Sequence, residues 1–250
     1  MIENPFDQYI RSITLNRSKI NEWNCYPFML RAVKALDQIN FHPNVTFFVG
    51  ENGSGKSTLL EAIASSFGFN PEGGTQNLNF ATEETHSVLY QYLTLSKGMQ
   101  RPKDGFFLRA ESFYNVATKI DELDREKSPS SRIIDSYGGR SLHQQSHGES
   151  FMSLLLHRFS GRGLYILDEP EAALSPMRQM AMLSRLHDLV GDNSQFIIAT
   201  HSPIILSYPY ATIYNVDDDF KPIAYKDTEH YQITQQFLNN PEGMLKILLD

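Results

Sequence analysis

At 250 residues, with an apolar fraction of 41% and a charged fraction of 20%, the chain is long enough to bury one substantial core and too ordinary in composition to be disordered or fibrous. A net charge of -7 and a pI near 5.6 argue against sequence-independent nucleic-acid binding by the whole surface, which rests on clustered Lys and Arg. The lone Cys25 leaves no intramolecular disulfide, Met1-Ile2-Glu3-Asn4-Pro5 lacks the basic and apolar regions of a signal peptide, and no apolar run approaches the roughly 20 residues that span a bilayer; a cytoplasmic location without direct membrane insertion is expected.

In chain order, Tyr9 to Leu15 largely alternates polar and apolar residues and reads as a strand with one wet face. Val45 to Val49 is a continuous β-branched and aromatic run closed by Gly50, as in a strand buried on both faces. From Lys56 the apolar residues Leu59, Leu60, Ile63, Ala64 and Phe67 recur at helical spacing, giving the order strand, loop, helix. Asn70 to Asn79 is a Gly- and Asn-rich loop; Val88 to Ser96 and Gly105 to Arg109 read as strands, Ser112 to Leu123 as a helix, and Asp121 to Arg140 as a polar surface connection. Then Glu149 to Phe159, Leu164 to Leu167, Pro176 to Val190 and Gln195 to Thr200 alternate helix and strand, the pattern of parallel strands with crossover helices. A strand at Thr212 to Val216 and helical segments at Ile233 to Leu238 and Pro241 to Leu249 close the chain.

Two motifs carry chemistry. Gly50-Glu51-Asn52-Gly53-Ser54-Gly55-Lys56-Ser57-Thr58 fits the G-x-x-x-x-G-K-[ST] pattern and sits between a strand and a helix, the context it needs. Its glycines let backbone N–H groups and the helix N-terminus face phosphates, Lys56 neutralises the β- and γ-phosphates, and Ser57 offers its hydroxyl to Mg²⁺. Leu164 to Glu169 is an apolar strand that delivers two carboxylates at its C-terminal end, where open α/β sheets place their ligands. Asp168 then belongs to the Mg²⁺ shell, and Glu169 polarises the attacking water as general base. Either motif alone has a bland counterpart, a chance glycine turn or an exposed acidic turn; together they point to bound ATP and Mg²⁺.

A phosphate loop followed by this carboxylate pair resembles ABC-type ATPases. Ser146-His147-Gly148-Glu149-Ser150 resembles the family's signature motif, usually Ser-Gly-Gly-Gln after a leucine, with departures at His147 and Glu149. The resemblance implies that Ser146 and Gly148 of one protomer contact the γ-phosphate held by the other. Ala173-Leu174-Ser175-Pro176 resembles the D-loop that crosses the dimer interface, and Thr200-His201-Ser202-Pro203 the switch-histidine segment, which makes His201 a γ-phosphate sensor. Where the family has a glutamine bridging metal and water, Glu111 is the candidate metal ligand. Tyr26 and Phe28 are the upstream aromatics that could stack on adenine, although core or cap residues is the preferred reading. The run Asp168-Glu169-Pro170-Glu171-Ala172-Ala173-Leu174 looks more like the soluble RecF-, SMC- and OLD-like branch, which includes small "AAA family ATPases", than like transporter subunits.

The implied fold class is α/β: a P-loop NTPase with an ABC-ATPase-type mixed sheet flanked by helices, an antiparallel β portion and a small helical sub-lobe. A single domain over 1-250 is expected, with a nucleotide-binding lobe at about 1-85 and 160-225, a signature-bearing sub-lobe at about 86-159 and a closing segment at about 226-250. The expected activity is Mg-dependent ATP hydrolysis by a head-to-tail, ATP-dependent homodimer that switches a partner protein, in DNA maintenance or anti-phage defence by resemblance. The alternatives are the energising subunit of a membrane transporter and a non-hydrolysing nucleotide-sensing scaffold. His143, His147 and His157 suit no common zinc spacing. The basic residues Lys97, Arg101, Lys103, Arg109, Lys119, Arg125, Lys127, Arg132 and Arg140 could face a nucleic acid, but interleaved acids favour an ordinary solvated face.

Overall fold

A computed structural model describes residues 8–76, 87–109, 113–125 and 132–249. In chain order the elements are β1 (Ile10–Leu15), α1 (Arg31–Ala35), β2 (Gln38–Asn40), β3 (Val45–Val49), α2 (Lys56–Phe67), β4 (Leu93–Lys97) and β5 (Asp104–Arg109). There follow α3 (Phe113–Arg125), α4 (His147–Ser153), β6 (Gly163–Asp168), α5 (Pro176–Gly191), β7 (Gln195–Ala199), α6 (Pro203–Leu206), β8 (Ala211–Asn215), β9 (Lys221–Pro222), α7 (Glu229–Asn239) and α8 (Pro241–Leu249).

The main sheet has the order β5-β6-β7-β3-β8-β9, with parallel pairing from β5 through β8 and β9 antiparallel at the edge. A smaller antiparallel sheet, β2-β1-β4, lies beside it. Every residue of β3, β6 and β7 is buried, which explains why their sequences are unbroken apolar runs rather than alternations. Successive side chains still divide by face. Phe47, Phe106, Tyr165, Leu167, Phe196 and Ile198 join a core with α3, α4 and α5. Phe48, Phe107, Leu164, Ile166, Ile197 and Ala199 point the other way, toward α2 and the small sheet. Leu59, Leu60 and Ile63 of α2 are completely buried there, each worth about 1.5–3 kcal/mol of burial.

Three expected elements differ in the structure. Val88 to Tyr92 is a 3-10 turn with Ser87 accepting from the Leu89 N–H, and the strand begins only at Leu93. The polar stretch after Asp121 is also not simply a solvated connection. A 3-10 turn at Ile133–Tyr137 buries Ile134 and Tyr137, Leu142 is buried beside them, and the Asp124 carboxylate accepts from the Ile133 and Ile134 N–H groups at 2.6 and 2.8 Å. Three apolar anchors hold residues 132–142, whose surroundings in the sequence are polar. The helix expected from Glu149 starts earlier, at His147, and after Ser153 continues as a π-type turn through Arg158.

β4 and β5, within the stretch assigned to the sub-lobe, pair with β1 and β6 respectively. On the possible nucleic-acid face three of the nine basic residues pair with acids: Arg109 with Glu61 at 2.7 Å, Lys119 with Glu122 at 3.1 Å and Arg132 with Asp135 at 2.8 Å. Lys127 lies outside the described residues. Among the described residues no helix is long and apolar enough to cross a membrane.

Candidate nucleotide site

β7 aligns the site. Phe48 of β3 and Asp168 of β6 both pair with Ala199, from opposite sides, so the loops that follow Val49, Asp168 and Ala199 leave the sheet at one level. Parallel strands therefore deliver the glycine loop, the carboxylates and the histidine segment to the same edge, as the sequence order requires.

In the loop, Gly50 has φ 154° and a Cβ there would lie 2.8 Å from Asp217 Oδ2. Gly55 has φ 102° and would meet Ala32 Cβ at 3.1 Å. Positive φ and close approach both call for glycine. The Glu51 N–H donates to Asp217 Oδ2 at 2.5 Å, which ties the loop to the turn after β8. Asn52 and Gly53 are exposed, whereas Ser54 and Lys56 are buried. Lys56 Nζ donates to the carbonyls of Gly50 and Glu51, both at 2.8 Å. Burial pushes the Lys56 ammonium below its usual value, opposed by Glu169, Asp217, Asp168 and Glu171.

Ser57 Oγ, in the first turn of α2, donates to Asp168 Oδ1 at 3.2 Å. Glu169 follows in the left-handed conformation at φ 50°, ψ 54°, held by its N–H donating to Ala199 O at 2.9 Å. That conformation costs a non-glycine residue about 1–2 kcal/mol and turns the carboxylate toward His201, with Glu169 Oε1 3.5 Å from His201 Nε2. That separation is beyond good hydrogen-bond geometry, and His201 Nε2 is buried without a hydrogen-bond partner among the described residues. Ser54 Oγ is in the same condition. A buried donor or acceptor left open costs about 1–3 kcal/mol, and two such atoms, on the loop and on the switch segment, fit a site built for an anionic ligand. For Mg²⁺, which keeps waters and substrate oxygens as most of its ligands, the paired oxygens of Ser57 and Asp168 are a fitting protein contribution.

Two residues at this site carried no assigned chemistry in the sequence. Glu171 accepts from Thr200 Oγ1 at 2.7 Å and from the His201 N–H at 2.6 Å, joining the turn after β6 to the turn after β7. Burial raises its pKa, opposed by those two donors. His230, in the first turn of α7, lies with Nε2 2.8 Å from His201 Nδ1. Both imidazoles have lowered pKa values, from burial first and then from the Lys56 charge. The Glu171 position is legible only as a carboxylate close to Glu169, and His230 has no local sequence signal at all.

Ser146 and Gly148 lie elsewhere. Ser146 caps α4, and a Cβ on Gly148 would strike Arg178 and the Ala173 carbonyl, at 2.3 and 2.7 Å. The signature-like segment therefore packs on the D-loop-like segment. Among the described residues neither Ser146 nor Gly148 hydrogen-bonds the glycine loop of its own chain. Glu111 lies outside the described residues. Phe28 is in the core, edge-on to Tyr92 at 4.8 Å. Tyr26 is not a core residue: it is 57% exposed, with its hydroxyl 3.4 Å from Thr58 Oγ1. His143 packs against Tyr114 and contacts Thr118 at 3.1 Å, and His157 lies beside Gly138.

A buried parallel sheet whose strands deliver a glycine-lysine-serine loop, a carboxylate pair and a histidine to one edge defines an ATP-binding P-loop protein of the ABC type. A family model described as the RecF/RecN/SMC N terminal domain matches residues 28–217, and this chain belongs to that family. It is similar to the xylose import ATP-binding protein XylG of Thermoanaerobacter pseudethanolicus, 26% identical over 193 residues that make up 68% of this chain and 36% of that protein. The L-arabinose transport ATP-binding protein AraG of Geobacillus stearothermophilus is 24% identical over 226 residues, 81% of this chain and 42% of that one. The match thus spans less than half the length of these curated relatives. Among solved structures, the SMC head domain from Thermotoga maritima superposes with a TM-score of 0.41 at 18% identity, covering 83% of this chain and 94% of that one. The ATP-binding cassette MJ1267 of an ABC transporter gives 0.48 at 15% identity, covering 91% and 98%.

Proposed function

We propose that this chain binds Mg-ATP in the Gly50–Thr58 loop and hydrolyses it, and that two protomers close head to tail around two ATP molecules. The observation that supports this most is the Ser57–Asp168 contact at 3.2 Å immediately beside the Glu169–His201 pair at 3.5 Å. On this reading Ser57 and Asp168 are the metal-binding pair and Glu169 is the base beside them. Ser57 and Asp168, with Glu111 as a further candidate ligand, would hold Mg²⁺, which would supply charge neutralisation on the phosphate oxygens. The loop amides, with Gly50, Asn52, Gly53, Ser54, Gly55 and Thr58, cradle the phosphates, and Lys56 turns its ammonium from the loop carbonyls to them.

Glu169 takes a proton from a water whose oxygen bonds to the γ-phosphorus, while the bond from that phosphorus to the β–γ bridging oxygen breaks and leaves ADP and phosphate. His201 reads the γ-phosphate. Ser146 and Gly148, unattached to their own loop, complete the site of the second protomer. Closure then depends on the γ-phosphate and relaxes after hydrolysis, which makes the dimer a switch for a partner protein. DNA maintenance or anti-phage defence is the setting that the RecF/SMC/OLD-like resemblance suggests, in the cytoplasm.

Glu169→Gln tests the chemistry. ATP binding is expected to persist while phosphate release falls by roughly 10²- to 10⁴-fold, the usual worth of a general base. Undiminished release would overturn Glu169 as the base, and no release from the unaltered protein would favour the nucleotide-sensing scaffold. A second reading, an energising subunit for import, is favoured by the names of the curated relatives. Co-purification of the chain with a membrane protein is its test.

A further inference from the structure

We infer that His230 is a positioning residue that fixes the tautomer of the switch histidine, so that His201 presents an N–H rather than a lone pair to the γ-phosphate side of the site. His201 Nδ1 and His230 Nε2 are 2.8 Å apart. Between two neutral imidazoles at that distance one nitrogen donates and the other accepts, and neutral imidazole carries a single N–H. The direction of this one bond therefore settles what the far nitrogen of His201 offers.

If His201 Nδ1 donated, its Nε2 would be a bare lone pair facing Glu169 Oε1 at 3.5 Å, two electron-rich atoms opposed. If His230 Nε2–H donates into the Nδ1 lone pair, His201 carries its proton on Nε2 and presents it to the carboxylate. In the second arrangement the Glu169 approach is attractive, and in the first it is repulsive. His201 Nε2 is itself buried without a hydrogen-bond partner among the described residues, so an N–H there is a donor in reserve for an arriving anion. A lone pair would repel that anion.

The main chain that carries the His201 ring is held in place. Its backbone N–H is tied to Glu171 Oε1 at 2.6 Å, and the preceding Thr200 hydroxyl to Glu171 Oε2 at 2.7 Å. The His230 ring is tilted 53° to that of His201, with centroids 4.9 Å apart. It is anchored in the first turn of α7, where Thr228 caps the helix. Glu171 thus holds the main chain of the switch segment, and His230 selects its protonated nitrogen. Orienting partners of this kind, one bond removed from the working group, usually change function without touching substrate.

The kinetic consequence rests on the hydrolytic reading above; the tautomer itself does not. The experiment is ¹⁵N–¹H correlation NMR of ¹⁵N-histidine-labelled protein without nucleotide at pH 8, with His201 assigned from a His201→Asn sample, followed by ATPase assays on His230 variants. The expected result is an Nε2–H tautomer for His201 in the unaltered protein. It should persist in His230→Gln, whose amide N–H can replace the donor, and be lost or mixed in His230→Leu. In the assays, His230→Leu should lose roughly 10-fold or more in kcat with little change in KM, and His230→Gln should recover most of it. An Nδ1–H tautomer in the unaltered protein, or an unchanged Nε2–H tautomer in His230→Leu, would overturn the inference. Absent ATPase activity with the expected tautomers would instead count against the hydrolytic reading alone.

Discussion

Ser146 and Glu149 close on each other at the start of α4: the Ser146 N–H and hydroxyl donate to Glu149 Oε2 at 2.9 and 2.8 Å, and the Glu149 N–H donates back to Ser146 Oγ at 3.4 Å. The glutamate that departs from the signature-like pattern is thus one half of a capping box. Hydrogen bonds from Ser146 hold its carboxyl below the usual range, so it is an anion next to the hydroxyl proposed to meet a γ-phosphate. Glu149→Gln keeps the box, because glutamine serves at that position, and removes the charge. We expect ATP-dependent self-association to tighten by roughly threefold to tenfold, as when a like-charge juxtaposition is relieved at an interface. Sedimentation of the Glu149→Gln, Glu169→Gln double variant against Glu169→Gln checks it; equal association would mean that Glu149 does not face the anion.

Glu171→Gln should separate binding from turnover. Its carboxylate serves two donors; an amide keeps one acceptor and turns its NH₂ toward the other donor. Loss of about 1–2 kcal/mol of stability is expected, with a fall in kcat larger than any change in ATP affinity. Nucleotide titration and phosphate release on the same preparation give both quantities.

Arg158 and Asp104 form a largely buried pair at 2.7 Å, which anchors the turn after α4 to β5. Removing one member leaves the other's charge stranded, although Tyr165 and Ser160 still donate to Asp104. Arg158→Ala should cost about 2–3 kcal/mol, less than a wholly isolated buried pair, read as a lower urea midpoint with an unchanged slope. The Glu149 variant should leave that midpoint nearly unchanged.

Acid should destabilise the fold beginning near neutrality. Burial lowers the pKa of His42, His201 and His230 below 6.5. Above the unfolded value none of the three distinguishes the states. As pH falls through about 6.5 the unfolded chain takes up protons first, and stability drops until the folded-state values are reached, by about 1.4 kcal/mol for each tenfold difference in proton affinity between the two states. His42 Nδ1 accepts from the N–H groups of Asn44 and Val45, so its protonation also breaks two hydrogen bonds. His42→Asn keeps an acceptor for this turn and cannot titrate. Thermal melts between pH 7.5 and pH 5 should show a shallower acid loss for that variant than for the unaltered protein.

Local spacing makes the glycine loop and the carboxylate strand readable, because G-x-x-x-x-G-K-S and a buried apolar strand ending in Asp168-Glu169 are contiguous signals. The α4 cap is readable too: Ser146-x-x-Glu149 is the capping-box pattern, hidden by its likeness to a ligand-binding signature. The contacts that position the site are long-range. His230 reaches His201 from α7, Asp217 reaches the Glu51 amide from beyond β8, and Glu171 reaches across to the segment after β7. No period or spacing along the chain encodes which distant side chain will arrive. Tyr26 departs from a core place for a related reason: an aromatic close to apolar residues reads as core, and only the chain path puts it beside Thr58 at the surface.

The most direct test of the central claim is the solution mass of Glu169→Gln protein by light scattering, with and without Mg-ATP. Monomer without nucleotide and dimer with it is the predicted result, since blocked hydrolysis should hold two protomers closed on their γ-phosphates. A monomer that binds ATP and never associates would contradict the head-to-tail closure.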